Sequence, residues 1–190
     1  MRLFAAVLPP GPVVTELTGA VARLTALPGA DRLRWTGRDG WHFTLAFYGE
    51  VADEALPELA ERLARAARRH APYELRIAGG GRFDDRVVWA GAEGELAVMR
   101  KLADSVEAAG RRAGVTRDGH RTYRPYHPHL TLARNRSDQD LAPFTEAMDG
   151  FEGTPWTVRE LTLMHSRPPV PGIAGRQPHY EKLSSWPLGH

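Results

Sequence analysis

Apolar positions along the chain follow two rhythms. Short apolar or alternating runs mark strands, and apolar residues three or four apart mark helices. Residues 2–8 form an apolar run that reads as a buried strand. Val14, Leu17, Val21 and Leu24 recur at helical spacing, which predicts a helix over 12–26 ended by Pro28-Gly29. Arg32 to Thr36 is a short extended piece, Gly37 to Gly40 a turn, and Trp41 to Tyr48 a strand closed by Gly49. Asp53 is placed to cap a helix over 54–69 with Leu56, Leu59 and Leu63 on one side. Pro57 falls in its first turn, where a missing N–H costs little. Tyr73 to Ala78 and Arg86 to Ala90 read as a hairpin, with Gly79-Gly80-Gly81 as a turn. Leu96, Met99, Leu102 and Val106 predict a helix over 94–109 stopped by Gly110. A strand over 126–134 and a short helix over 138–148 follow. Thr157 to Ser166 and Tyr180 to Ser185 read as closing strands around a Pro/Gly-rich loop, 167–178.

The order helix, strand, helix, strand, strand therefore occurs twice, with no linker between the copies. The simplest α+β arrangement is two antiparallel-rich sheets with helices outside and one shared core. A pseudo-twofold relation would bring equivalent strands of the two copies together at a central cleft.

Those equivalent strands carry the same tetrapeptide. His42-Phe43-Thr44-Leu45 and His129-Leu130-Thr131-Leu132 both read His-x-Thr-Leu, with their histidines 87 positions apart. On a strand, residues two apart share a face, so each copy presents an imidazole beside a hydroxyl. A lone strand histidine is usually structural; two copies in one small protein point to two imidazoles converging on one ligand. Paired groups with pKa near 6.5 can divide acid and base tasks at neutral pH. Threonine hydroxyls beside them suit a tetrahedral oxyanion.

Composition narrows the chemistry. The 190 residues contain no cysteine, which excludes disulfides and thiol or Cys-zinc chemistry. No apolar run is long enough to span a bilayer, and the N-terminal run is too short for a signal segment, so a cytoplasmic protein with no membrane association is expected. The formal net charge is only +2. Between Gly110 and Arg136, however, Arg111, Arg112, Arg117, Arg121, Arg124, Arg134 and Arg136 face a single acid, Asp118. Such a stretch reads either as a solvated basic loop or as a surface for a phosphorylated partner. His127-Pro128-His129 offers two potential metal ligands but no third at a suitable spacing. No metal and no cofactor are expected. His165 is read as structural or cleft-lining, and His70, His120, His179 and His190 are assigned no role.

Trp41 to Val51 and Tyr126 to Arg134 together resemble the two signatures of the 2H phosphoesterases, and more narrowly of the LigT-like RNA 2′,3′-cyclic phosphodiesterases, also called 2′-5′ RNA ligases. The resemblance implies a single bilobal domain over residues 1–190 that acts on RNA 3′ ends or nucleotides bearing a 2′,3′-cyclic phosphate, and a monomer is expected. It implies metal-independent opening of that ring to a 2′-phosphomonoester. By position His42 matches the proton donor, His129 the proton acceptor, Thr44 and Thr131 the phosphate-holding threonines, and Arg134 a phosphate-contacting arginine. Reversible 2′-5′ ligation and non-catalytic RNA-end binding stay open alternatives.

Overall fold

The computed structural model describes residues 1–115, 126–169, 171–172 and 177–189. The chain begins with β1 (Arg2–Val7), α1 (Gly11–Thr25), β2 (Leu33–Trp35), β3 (Phe43–Glu50) and α2 (Leu56–Arg68). It continues through β4 (Tyr73–Phe83), β5 (Val87–Gly94), α3 (Leu96–Arg112), β6 (Leu130–Asn135) and α4 (Ala142–Met148). It closes with β7 (Trp156–Val158), β8 (Glu160–Arg167) and β9 (His179–Pro187). The strands form two antiparallel sheets, ordered β3-β1-β8-β9 and β2-β6-β5-β4-β7. Helices α2 and α3 pack on each other and against β9 and β3 respectively, while α4 packs on α1, β4 and β5. The fold is α+β, with two antiparallel sheets and their helices outside.

The two sequence copies are not the two sheets. Hairpin β4–β5 belongs to the first copy, yet β5 pairs with β6, the motif strand of the second. Strands β8 and β9 belong to the second copy, yet they lie in the sheet of β3, the motif strand of the first. Each sheet therefore draws strands from both copies, and the cleft is tied by chain crossing in both directions. Long-range pairing of this kind leaves no local trace in the hydrophobic pattern.

Asp53 does not cap α2 but opens a short helical turn, Asp53–Ala55, that leads into it. Three larger features also differ from their sequence reading. Gly79-Gly80-Gly81 is not a turn but the interior of the eleven-residue β4. Gly79 adopts φ +64 at a register shift against β5. A Cβ on Gly80 would lie 2.7 Å from the Met148 Cβ, and one on Gly81 would meet the Trp89 indole. These glycines thus admit a neighbouring helix and a flat-lying Trp89 against the strand. Gly110 does not stop its helix, because α3 runs on to Arg112. Its missing Cβ makes room for the Tyr48 ring, whose hydroxyl donates to the Val106 carbonyl at 2.8 Å. Finally, the expected strand 157–166 is two strands in different sheets. Val158 pairs with Tyr73, whereas His165 pairs with Leu3. Arg159 and Glu160 are both exposed, which breaks the alternation where the chain changes sheets.

Strand β1 is apolar from Leu3 to Val7 because both its faces are covered there. Leu3, Ala5 and Val7 join the main core, while Phe4 and Ala6 pack with Met164 in a second cluster. Phe47 and Tyr180 lean on that second cluster. It forms the apolar floor of the cleft described next.

Candidate active site

His42 and His129 each sit one residue before a strand, at Phe43 and Leu130. Each imidazole turns back to its own approach segment. His42 Nδ1 lies 2.8 Å from the Gly40 carbonyl, and His129 Nδ1 lies 2.9 Å from the His127 carbonyl. A carbonyl only accepts, so both Nδ1 atoms carry the hydrogen. Both rings are fixed in the same tautomer, which leaves Nε2 available for chemistry. At His42, Nε2 receives the Thr44 hydroxyl at 3.0 Å.

A matching irregularity follows each histidine. Ala46 and Thr44 pair with consecutive residues of β1, so Leu45 is an extra residue in β3. Ala133 and Thr131 pair with consecutive residues of β5, so Leu132 is an extra residue in β6. A one-residue bulge brings residues three apart onto one face, where a regular strand would oppose them. Thr44 and Phe47 consequently face the cleft together, as do Thr131 and Arg134. Phe47 is the counterpart of Arg134, since each lies five residues past its histidine. The two sides thus differ at equivalent positions, an aromatic ring against a guanidinium. Arg2 partly offsets the difference by placing its guanidinium 5.1 Å from the centroid of Phe47.

His42, Thr44, His129, Thr131 and Arg134 all line one cavity of about 660 Å³. Every residue singled out in the two motifs is thus brought to the same space. The two motif segments are also joined directly, because the Tyr126 hydroxyl donates to the Thr44 carbonyl at 2.8 Å. Tyr126 lies three residues before His129, so this bond spans the cleft from one motif to the other.

Aromatic walls surround both imidazoles. The ring centroid of Phe4 lies 4.7 Å from that of His42, and Tyr180 meets His42 edge-on at 5.3 Å. Phe83 meets His129 edge-on at 4.7 Å. Trp89 stands 4.9 Å from His127 and 6.3 Å from His129. Burial among these rings penalises the charged imidazole. It lowers the His42 pKa to about 4, helped by the charges of His129 and Arg134 and opposed by the Gly40 carbonyl. Burial also lowers the His129 pKa, with the His127 and Arg134 charges acting in the same direction and the His127 carbonyl opposing them.

The remaining histidines and arginines fall in several places. His165 lines the cavity with Ser166, and its Nδ1 lacks a hydrogen-bond partner 4.0 Å from a Glu181 oxygen. His70 Nε2 bonds Ser105 at 2.7 Å between helices, and His179 begins β9. Of the arginine-rich stretch, Arg134 and Arg136 line the cavity. Arg111 instead pairs with Glu107 at 3.2 Å at the end of α3. Arg117, Arg121, Arg124, Asp118, His120 and His190 lie outside the described residues. Among the described residues no three His, Asp or Glu side chains are grouped to hold a metal, and no helix is long and apolar enough to cross a membrane. Sequence reasoning did not single out Tyr126, Tyr180 or Phe47 for the site. Phe47 was within reach, because its five-residue offset from His42 repeats that of Arg134 from His129.

Residues 13–168 match the family described as the 2′-5′ RNA ligase superfamily. The chain is 30% identical over 186 residues to an RNA 2′,3′-cyclic phosphodiesterase of Geobacillus stearothermophilus, covering 93% of this chain. It spans only 55% of the length of that relative. It is 32% identical over 174 residues to an RNA 2′,3′-cyclic phosphodiesterase of Thermus thermophilus, covering 87% of this chain and 82% of the relative. The apo crystal structure of E. coli LigT matches with a TM-score of 0.76 at 27% identity, covering 100% of this chain and 98% of that one. The same protein complexed with 3′-AMP matches with a TM-score of 0.74 at 26% identity, with the same coverage.

Proposed function

The chain belongs to the 2′-5′ RNA ligase superfamily, of the LigT-like kind, and from that premise we propose that it is an RNA 2′,3′-cyclic phosphodiesterase. It opens the cyclic phosphate at an RNA 3′ end to a 2′-phosphomonoester. The observation that carries this reading is the pair of His-x-Thr segments lining one cavity, with both imidazoles held by Nδ1 and presenting Nε2.

In the proposed reaction His129 Nε2 takes a proton from water as the oxygen attacks phosphorus. The bond from phosphorus to the 3′ oxygen breaks, and His42 Nε2 delivers a proton to that oxygen. The 2′ oxygen keeps the phosphate. Thr44, Thr131 and Arg134 hold the non-bridging oxygens, where negative charge grows. Protonation of His42 at Nε2 reverses its bond with Thr44, turning that hydroxyl into an acceptor from the ring and freeing its hydrogen for phosphate. The lowered pKa of His42 means that the free enzyme holds this acid mostly unprotonated at pH 7. The anionic substrate supplies the missing stabilisation of the imidazolium, so acid and substrate arrive as a coupled pair.

The same groups serve ligation if a 5′-hydroxyl replaces water, which the superfamily description accommodates. The test of the two-histidine reading is turnover of a 2′,3′-cyclic nucleotide by wild type, His42→Ala and His129→Ala, with EDTA present throughout. Each variant is expected to lose about 10²- to 10⁴-fold in kcat, the usual worth of one positioned acid or base. A single variant with wild-type kcat sinks this mechanism.

A further inference from the structure

Beside the catalytic cavity lies a second space of about 430 Å³ with four arginines in its wall: Arg32, Arg34, Arg134 and Arg136. Among the described residues none that lines it is acidic. The two spaces share Arg34, Arg134 and Arg136, so they are neighbours along one wall. The backbone explains the clustering. Arg34 on β2 is directly opposite Arg134 on β6, and directly opposed residues share a face. Arg136, just past the end of β6, lines the same space. Arg32 closes the row from the helical turn that leads into β2.

Among the described residues Arg134 and Arg136 enter no ion pair, whereas Arg62, Arg65, Arg76, Arg82, Arg111 and Arg167 do. An anion beside the forks of Arg134 and Arg136 would be held by charge-assisted hydrogen bonds. We propose that this arginine trough is a subsite for a second phosphoryl group on the nucleotide whose cyclic phosphate occupies the catalytic cavity. On an RNA end that group is the 5′-phosphate, or the phosphodiester linking the terminal nucleotide to its neighbour. The assignment rests on the proposed cyclic phosphodiesterase reading. It makes the 5′-phosphate a determinant of substrate choice, so the enzyme selects oligonucleotide ends over cyclic phosphates of bare nucleosides.

The test compares adenosine 2′-monophosphate with adenosine 2′,5′-bisphosphate, which differ only in the 5′-phosphate. Binding is measured calorimetrically to wild type and to the variant Arg32→Gln, whose side chain lines the trough but not the catalytic cavity. Arg32 is exposed, and a thermal melt checks that the fold is kept. Wild type is expected to bind the bisphosphate about tenfold or more tightly, as hydrogen bonds to a charged group predict. That preference should weaken with added salt as bound counterions are recovered. Arg32→Gln should lose most of the preference while binding the monophosphate as wild type does. Equal affinity of wild type for the two ligands, or a preference that survives in full in Arg32→Gln, overturns the subsite. Binding is read without turnover, so an enzyme that fails to hydrolyse cyclic phosphates counts against the proposed activity and leaves this comparison decisive for the trough.

Discussion

The protonation of His42 should depend strongly on whether phosphate is bound. Its ring lies under Phe4 and against Tyr180, and burial brings its pKa from 6.5 to about 4. At 1.36 kcal/mol per pKa unit, that displacement is about 3 kcal/mol against the imidazolium. The folded value lies below the unfolded one, so the associated stability is fully present above pH 6.5. It is lost as pH falls toward 4, because only the unfolded chain takes up the proton readily in that window. A phosphoryl charge about 5 Å from the ring, at an effective dielectric near 20, attracts the imidazolium by about 3 kcal/mol. Bound phosphate therefore nearly cancels the effect of burial and returns the pKa by about two units. The assay is an NMR titration of the His42 ring signals, assigned by their loss in His42→Ala, with and without saturating nucleoside 2′-monophosphate. The expected midpoint is near 4 in the free protein and about two units higher in the complex. A free-protein midpoint near 6.5, or one that ligand leaves unmoved, refutes the coupling. In kinetics, kcat/KM should fall from acidic pH toward neutrality, and kcat should hold to higher pH.

Three further outcomes follow from the packing around the site. Tyr126→Phe removes the hydroxyl that reaches the Thr44 carbonyl and should cost about 1 kcal/mol in denaturant unfolding, with a loss of kcat as the motif segments separate. Gly110→Ala drives a methyl group into the Tyr48 ring and should lower stability by about 1–3 kcal/mol, read as a lower thermal midpoint. Arg134→Ala should raise the KM for a cyclic nucleotide and lower kcat/KM by about tenfold or more, the expected effect of removing the proposed charge-assisted contact to phosphate.

Much of the fold was legible because most elements obey local rules. The helices on Val14 to Leu24, Leu56 to Leu63 and Leu96 to Val106 are visible from spacing alone, and the doubled His-x-Thr-Leu points to residues that line one cavity. The errors share a cause, since each depends on a distant partner. Gly79 to Gly81 look like a turn until Met148 and Trp89 are seen to occupy the space of their missing side chains. Gly110 looks like a helix stop until Tyr48 is seen to fill it. The strand 157–166 looks continuous until its ends pair with Tyr73 and Leu3 in separate sheets. Within the site, the motif histidines and threonines were readable, but the bulges at Leu45 and Leu132 were not. Those bulges bring Arg134 and Phe47 to the cleft, and they appear only as register shifts against β5 and β1. The aromatic walls around the imidazoles come from β1, β9 and the β4–β5 hairpin, elements too remote in sequence to be associated with either motif.

The central claim is a reaction with a defined leaving group, and phosphorus NMR of one incubation tests it most directly. The protein is mixed with adenosine 2′,3′-cyclic phosphate in EDTA, and the product is identified against authentic 2′- and 3′-monophosphates. The account predicts that the cyclic resonance is replaced by adenosine 2′-monophosphate alone. Adenosine 3′-monophosphate would contradict the proposed departure of the 3′ oxygen, and an unchanged cyclic resonance would contradict the activity itself.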